Sequence, residues 1–339
     1  MERSKEICGI EPFNGVLYID CGHNILLTVA DFYNADTEAI LLNDIFTYDI
    51  HDDDGHLSLK VNAEEIKDIS QVMSDKLGIT INPKLDIDDV ISEIKDSILN
   101  DRPVSVPIDL YHCKLRRKMY ESVHEAHALM VVGFNEDNQT FQIIDNMKKN
   151  GTVFGFYQMD YSDIKTGYHS FISSLKGNSL NERGVCEYYK TGNDNGGSHE
   201  NVCTFRTALL ENKEKIIDSL QNIIKFKEYF SLLIHNESRL VSRMPRIVEE
   251  FNQIVNMKRA EQFRVEYSFK ERENLRYILY KVIENWKYVR MICAKYMYSM
   301  ENDIPAFERA IARMDDIFNL ENQLIGQMIE EVSGLTCRE

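Results

Sequence analysis

The apolar and polar positions follow three successive patterns along the chain. The first is helical. In the run Ile25 to Tyr33, residues Leu26, Val29, Ala30 and Tyr33 fall at i, i+3, i+4 and i+7, one stripe of a buried helix. Val16 to Ile19 reads as a strand or extended arm leading into it. Over 36–100 the pattern is mixed. Ala39 to Tyr48 carries short apolar runs, His51 to His56 is a turn rich in aspartate, and Leu57, Leu59 and Val61 alternate as a strand. Asn62 then predicts a capped helix to Leu77, closed by Gly78. Ile79 to Ile81 predicts a short strand, and Asp86 opens a second helix ending near Asn100.

The second pattern has period two. Val104, Val106, Ile108 and Leu110 alternate with Ser105, Pro107 and Asp109, with Pro107 marking an edge or bulge. His127 to Phe134 is a near-continuous apolar strand, Asn135 to Gln139 a turn, and Thr140 to Asp145 the return strand of a hairpin. Thr152 to Met159 supplies another strand. The third pattern is helical again. Between Gly197 and Gly326 there is no glycine, and Glu211–Ile234 and Glu249–Met300 keep three-and-four spacing. Asp303 or Ile304 opens a last helix to about Ser333, which makes three or four long helices. The chain is therefore expected to be α+β. Residues 1–177 would form a domain with an antiparallel sheet, with 36–100 as an α+β elaboration inside it. Residues 178–202 would be a linker or loop, and 203–339 an α-helical domain.

Composition narrows the class. The 339 residues are 43% hydrophobic and 28% charged, a globular balance. No apolar run approaches the roughly 18 residues of a membrane span. No hydrophobic signal segment follows Met1 to Glu6, so a cytoplasmic protein without membrane contact is expected. Seven cysteines, odd in number and without a CxxC pair, argue against a disulfide framework or a cysteine-rich zinc site. The net charge of −16 is uneven, with 18 basic and 33 acidic residues in 1–199 against 21 and 22 in 200–339. Nucleic acid is excluded as a partner of the first part. A small cationic amine would be drawn to it, although a solvated acidic surface accounts for most of the charge.

Candidate chemistry begins at Asp20-Cys21-Gly22-His23-Asn24, which heads the first helix. Free N–H groups and the positive end of the helix dipole favour a thiolate there, whereas a small buried thiol is the commoner fate of cysteine. His127 begins one strand and Asp145 ends its hairpin partner, so an antiparallel pairing makes imidazole and carboxylate neighbours. Cys21 as nucleophile, His127 as proton carrier and Asp145 as orienting group form a nucleophilic constellation, with Asn146 an alternative to Asp145. The order Cys, His, Asp and the placement on helix and sheet are papain-like. A competing set, His112, Cys113, His124 and His127, offers metal-ligand types without a converging helix motif. His124 otherwise lines the cleft or sits in the loop. The basic cluster Lys114, Arg116, Arg117 and Lys118 reads as a solvated loop or as a docking patch for an acidic partner or phosphate.

Three stretches carry a resemblance: Asp-Cys-Gly-His-Asn, Arg-Pro-Val-Ser-Val-Pro-Ile-Asp-Leu-Tyr, and His-Glu-Ala-His-Ala-Leu-Met-Val-Val-Gly-Phe. Over roughly 15–175 the chain resembles the N-terminal-domain family of butirosin-biosynthesis protein H, papain-like acyltransferases related to bacteriocin leader peptidases. It is also similar to the amide-forming transferases of closthioamide-type biosynthesis. The resemblance implies transfer of an acyl or peptidyl chain from a carrier-protein thioester, through acyl-Cys21, to an amine, a diamine in the closthioamide case. It implies no cofactor and no metal, since the acyl chain arrives on the phosphopantetheine of its carrier protein. Where papain-like hydrolases set a glutamine before the cysteine, this chain has Asn14-Gly15-Val16-Leu17. The oxyanion then depends on the Cys21 N–H, with Asn14 as a second donor. Asp20 works against the thiolate unless it points away. Asp20, His23, Asn24, His124 and Asn146 complete the expected substrate or oxyanion set. A peptidase or thioesterase acting through the same acyl-enzyme and a non-enzymatic scaffold are the alternatives.

Overall fold

The computed structural model describes residues 2–85, 87–146, 153–175, 184–192 and 197–336. In chain order its first elements are β1 (Ser4–Glu6), α1 (Cys21–Phe32), α2 (Glu38–Leu41), β2 (Asp44–Asp53), β3 (His56–Glu65) and α3 (Ile69–Gln71). Then come β4 (Ile79–Lys84), α4 (Val90–Leu99), β5 (Val104–Asp109), β6 (Ala126–Asn135), β7 (Thr140–Asp145), β8 (Gly155–Asp160), α5 (Tyr161–Ser174) and β9 (Val185–Lys190). Six helices complete the chain: α6 (Ser198–Glu211), α7 (Lys213–Ser219), α8 (Gln221–Leu233), α9 (Glu237–Ser268), α10 (Glu273–Ser299) and α11 (Ile304–Thr336). Two compact units result, residues 1–40 with 68–196, and residues 41–67 with 197–339.

The first unit is built on an antiparallel sheet in the order β4-β9-β5-β6-β7-β8, with β1 paired to the far end of β6. Val104, Val106, Ile108, Leu129, Val131 and Ile143 are buried in it. The apolar stripe of α1 buries Leu26, Leu27, Val29 and Ala30, as its spacing requires. α5 lies against β5 at Gly167, where a Cβ would come 3.1 Å from that of Ile108, so the close approach depends on the missing side chain.

The second unit joins the hairpin β2–β3 to the six helices. Asp54 and Gly55, at φ 51° and 77°, make the two-residue turn that matches strand twist. Tyr48 of β2 anchors the hairpin. Its hydroxyl donates to Glu321 at 2.6 Å and accepts from the Trp286 indole at 3.0 Å, and Lys258 lies 2.6 Å from the same carboxylate. Trp286, Tyr48, Lys258 and Glu321 are all buried.

The structure corrects several expectations. Asn62 does not cap a helix, because β3 runs through it and pairs it with Thr47. Only α3 and a five-residue π-turn at Val72–Lys76 follow. The stretch 36–100 is therefore divided between the units instead of elaborating the first. The expected linker 178–202 contains β9 and the start of α6, while its residues 178–183 and 193–196 lie outside the described residues. Val-Cys-Glu-Tyr-Tyr is a strand-forming run that pairs with both β4 and β5. The second expected helix begins at Val90 with Asp89 as its cap, later than Asp86. The long helical run 249–300 breaks at Phe269–Arg272 into α9 and α10.

Candidate active site

The sharp turn before α1 sets the cysteine in place. Ile19 has φ 56°, a left-handed conformation that costs a β-branched residue on the order of 1–3 kcal/mol. Asp20 then caps the helix in extended conformation, its carboxylate accepting the His23 N–H at 3.0 Å. The His23 ring lies 3.0 Å from the same oxygen and edge-on to Tyr18. Burial works against the Asp20 charge, and His23 holds the carboxyl below its usual range. Asp20 is thereby turned toward its own helix.

Two further side chains of α1 hold the arm that leads in. Asn24 accepts the Tyr18 N–H at 2.9 Å and donates to the Val16 carbonyl at 3.0 Å. Thr28 accepts the Phe13 N–H at 3.1 Å. Asn14 is bound elsewhere, its amide accepting the Phe154 N–H at 2.8 Å and donating to the Phe154 carbonyl at 3.1 Å. Asn14 and Asn24, expected at the cleft, thus bond backbone groups of the chain around α1, and His23 bonds the cap through its N–H and Nδ1.

The sheet brings the other two groups together. Met130 pairs with Ile144 and Val131 with Ile143, so Asp145 falls opposite Leu129, diagonal to His127 on one face. His127 Nε2 lies 2.8 Å from Asp145 Oδ1, and both side chains are buried. Cys21, half-buried at the first turn of α1, acts on the charge of the same ring. With Nε2 taken by Asp145, Nδ1 is the nitrogen left for the sulfur. Burial opposes a charged ring at His127, yet the Asp145 and Cys21 charges and hydrogen bonds outweigh it and push the imidazole up to about 10. Burial raises Asp145, while His127 and Arg116 hold its carboxyl below the usual range.

Arg116 is the residue that the sequence hid. Its guanidinium is buried, and Nη2 donates to Asp145 Oδ1 at 2.9 Å, Asp145 Oδ2 at 3.0 Å and Asn146 Oδ1 at 2.8 Å. The same atom lies 2.8 Å from His127 Nε2. Two hydrogens on Nη2 cannot serve all four atoms at full strength. Nε2 donates to Asp145 when it carries a proton and accepts from Arg116 when it does not. Asn146 donates its backbone N–H to Asp145 Oδ1 at 2.7 Å, so it supports the carboxylate and does not replace it against His127.

The basic cluster is divided. Arg116 points inward and Lys114 pairs with Asp163 at 2.6 Å, which leaves Arg117 and Lys118 exposed. His124 stands in the loop before β6, half-exposed and stacked on Tyr111 at 4.2 Å, with Nδ1 2.7 Å from Asp109 Oδ2. Asp109 also accepts from Ser170 at 2.8 Å. Among the described residues no three His, Cys, Asp or Glu side chains group to hold a metal ion. No helix of the described residues is long and apolar enough to cross a membrane. Compared with known proteins, the chain is matched by no family model, and no curated protein matches it.

Proposed function

We propose that this chain is an amide-forming acyltransferase that carries its acyl group on Cys21. The observation that carries the proposal is the meeting of three elements: a thiol at the head of α1, an imidazole at the start of β6 and a carboxylate at the end of β7. In this order they match the papain-like pattern read from the sequence. The donor is an acyl or peptidyl thioester on a carrier protein, and the acceptor is an amine.

The Cys21 thiolate attacks the thioester carbonyl, and the carrier's sulfur leaves with the proton of the His127 imidazolium. The amine then attacks the acyl-Cys21 carbonyl. Its proton passes to the neutral imidazole, and the Cys21 thiolate leaves, which restores the starting pair. Asp145 fixes the ring with Nε2 toward itself and Nδ1 toward sulfur. The tetrahedral oxyanion is met at the helix start. Asp20 takes the Gly22 and His23 N–H groups and its carbonyl takes that of Asn24, which leaves the Cys21 N–H as donor. The first unit holds 26 acidic and 16 basic residues, a field that favours a cationic acceptor over a neutral one.

Intact-protein mass after incubation with an acyl-loaded carrier protein tests this. The expected result is a mass shift lost in Cys21→Ala, stable until a diamine is added, and then converted to amide. Free acid appearing equally fast without amine would make the protein a thioesterase or peptidase. No adduct with any acyl-carrier would remove the enzymatic reading.

A further inference from the structure

The Arg116 guanidinium touches both partners of the pair that would handle the proton, and the sequence of steps above does not use it. Its side chain is 6% exposed and that of Asp145 2%, so the two charges face each other away from bulk water. Among the described residues, few groups face His127. Asp145 comes from β7, Cys21 from α1 and Arg116 from the loop after β5. Cys113 lies near Arg116 and Asp145, but burial pushes its thiol up and keeps it neutral. Asp20 and His23 on α1 pair with each other, and Asp109 beside β5 is occupied by His124 and Ser170. Lys5 and Glu6 of β1 pair with the far end of β6, at residues 134 and 133.

A carboxylate alone behind the imidazole would hold its proton whatever happened at the sulfur. That serves the first half of the reaction, which begins from imidazolium, and obstructs the second, which needs a neutral ring to receive the proton of the amine. We propose that Arg116 is a positioning residue that offsets part of the charge of Asp145, so that the proton on His127 responds to the charge on Cys21. It is held while the sulfur is an anion and released once the sulfur is acylated. The inference rests on the proposed Cys21–His127 chemistry, but it concerns where a proton sits and can be read without product.

The test uses the full chain labelled with 15N-histidine, the His127 signal being the one lost in His127→Gln. His127 is titrated before and after iodoacetamide converts Cys21 to its carbamidomethyl form, a neutral stand-in for the acyl group. In the parent protein, alkylation is expected to lower the His127 midpoint by more than about one pH unit, the scale of one close charge. In alkylated Arg116→Gln, the midpoint is expected to stay about one unit or more above that of the alkylated parent. Arg116→Lys, which keeps the charge, is expected to restore the parent value. A ring in the parent that titrates alike before and after alkylation overturns the proposal, with or without a folded Arg116→Gln. So does an alkylated, folded Arg116→Gln that titrates like the alkylated parent, because a purely structural arginine would leave the midpoint in place. If free acid proves to be the product, these outcomes still separate, since each reads proton occupancy alone.

Discussion

Replacing Asn24 with alanine separates a scaffold from a chemical role next to the nucleophile. Asn24 is 1% exposed, and its amide satisfies two backbone groups of the entering arm, the Tyr18 N–H and the Val16 carbonyl. The Tyr18 bond is fully buried, so its orphaned donor costs on the order of 2 kcal/mol, and the half-buried Val16 carbonyl about 1 kcal/mol. The expected loss is about 3 kcal/mol, or a melting point about 6–10 °C lower for a unit of this size. Thr28→Val removes the acceptor of the Phe13 N–H, a half-buried bond, and the donor to the Asn24 carbonyl, and should cost about 1–2 kcal/mol. The single tryptophan, Trp286, lies in the helical unit, so its fluorescence reports on the wrong part of the chain. Calorimetry together with amide exchange across residues 13–32 reads the right one. Exchange should rise in that segment for Asn24→Ala more than for Thr28→Val. If Asn24→Ala melts within about 0.5 kcal/mol of the parent and yet fails to form the acyl-enzyme, Asn24 acts on the substrate and the clamp is wrong.

Asp145→Ala should reduce acyl transfer far more than Asn146→Ala, because the Asp145 carboxylate lies at hydrogen-bond distance from the imidazole, and the reverse ranking in single-turnover assays would transfer the orienting role. At the strained turn, Ile19→Gly should preserve Cys21 alkylation by iodoacetamide, whereas Ile19→Pro, fixed near φ −65°, should abolish it. Equal alkylation in the two variants would show that the turn does not position the thiol. In the helical unit, Lys258→Met should cost about 3–5 kcal/mol by stranding Glu321, and adding Glu321→Gln should recover most of it in chemical denaturation. For pH, raised His127 adds stability that is full below its ordinary value near 6.5 and lost as pH rises toward about 10. Lowered Asp145 adds stability present above the ordinary carboxylate range and lost as pH falls through its depressed value. Melting temperature against pH should therefore decline on both sides, and His127→Gln should remove the alkaline decline; a decline that persists unchanged would assign it to other groups.

The parts of the site that were legible in the sequence are those carried by local periodicity. The i, i+3, i+4 stripe placed Cys21 at a helix start, and the β6–β7 hairpin pattern placed His127 beside Asp145. Arg116 left no such trace. It sits among three other basic residues in an irregular loop, and nothing in its neighbours says that it alone turns inward. The bonds of Asn14 were illegible for a related reason: their partner, the Phe154 backbone, is 140 residues away. The helix expected from Asn62 was a misjudged competition. Asn62 can cap, but the turn at Asp54–Gly55 had already committed the following residues to pair with β2. β9 was lost because a strand of six residues lay inside a polar stretch whose composition read as a loop.

The hairpin β2–β3 also fixes an order of events. It belongs to the helical unit, yet it is made before every strand of the sheet except β1. Tyr48 must wait for Glu321, 273 residues later. At about 5–20 residues per second of synthesis that delay is on the order of half a minute. A two-stranded hairpin is barely stable by itself, so Ile45, Tyr48 and Leu59 stay without their helical partners while the sheet assembles on either side of them in sequence. Cutting the chain after residue 196 would make that waiting permanent. The shortened protein would contain every strand and helix around Cys21, but also an unpartnered apolar ribbon. It should be recovered as aggregate unless residues 41–67 are replaced by a short polar loop.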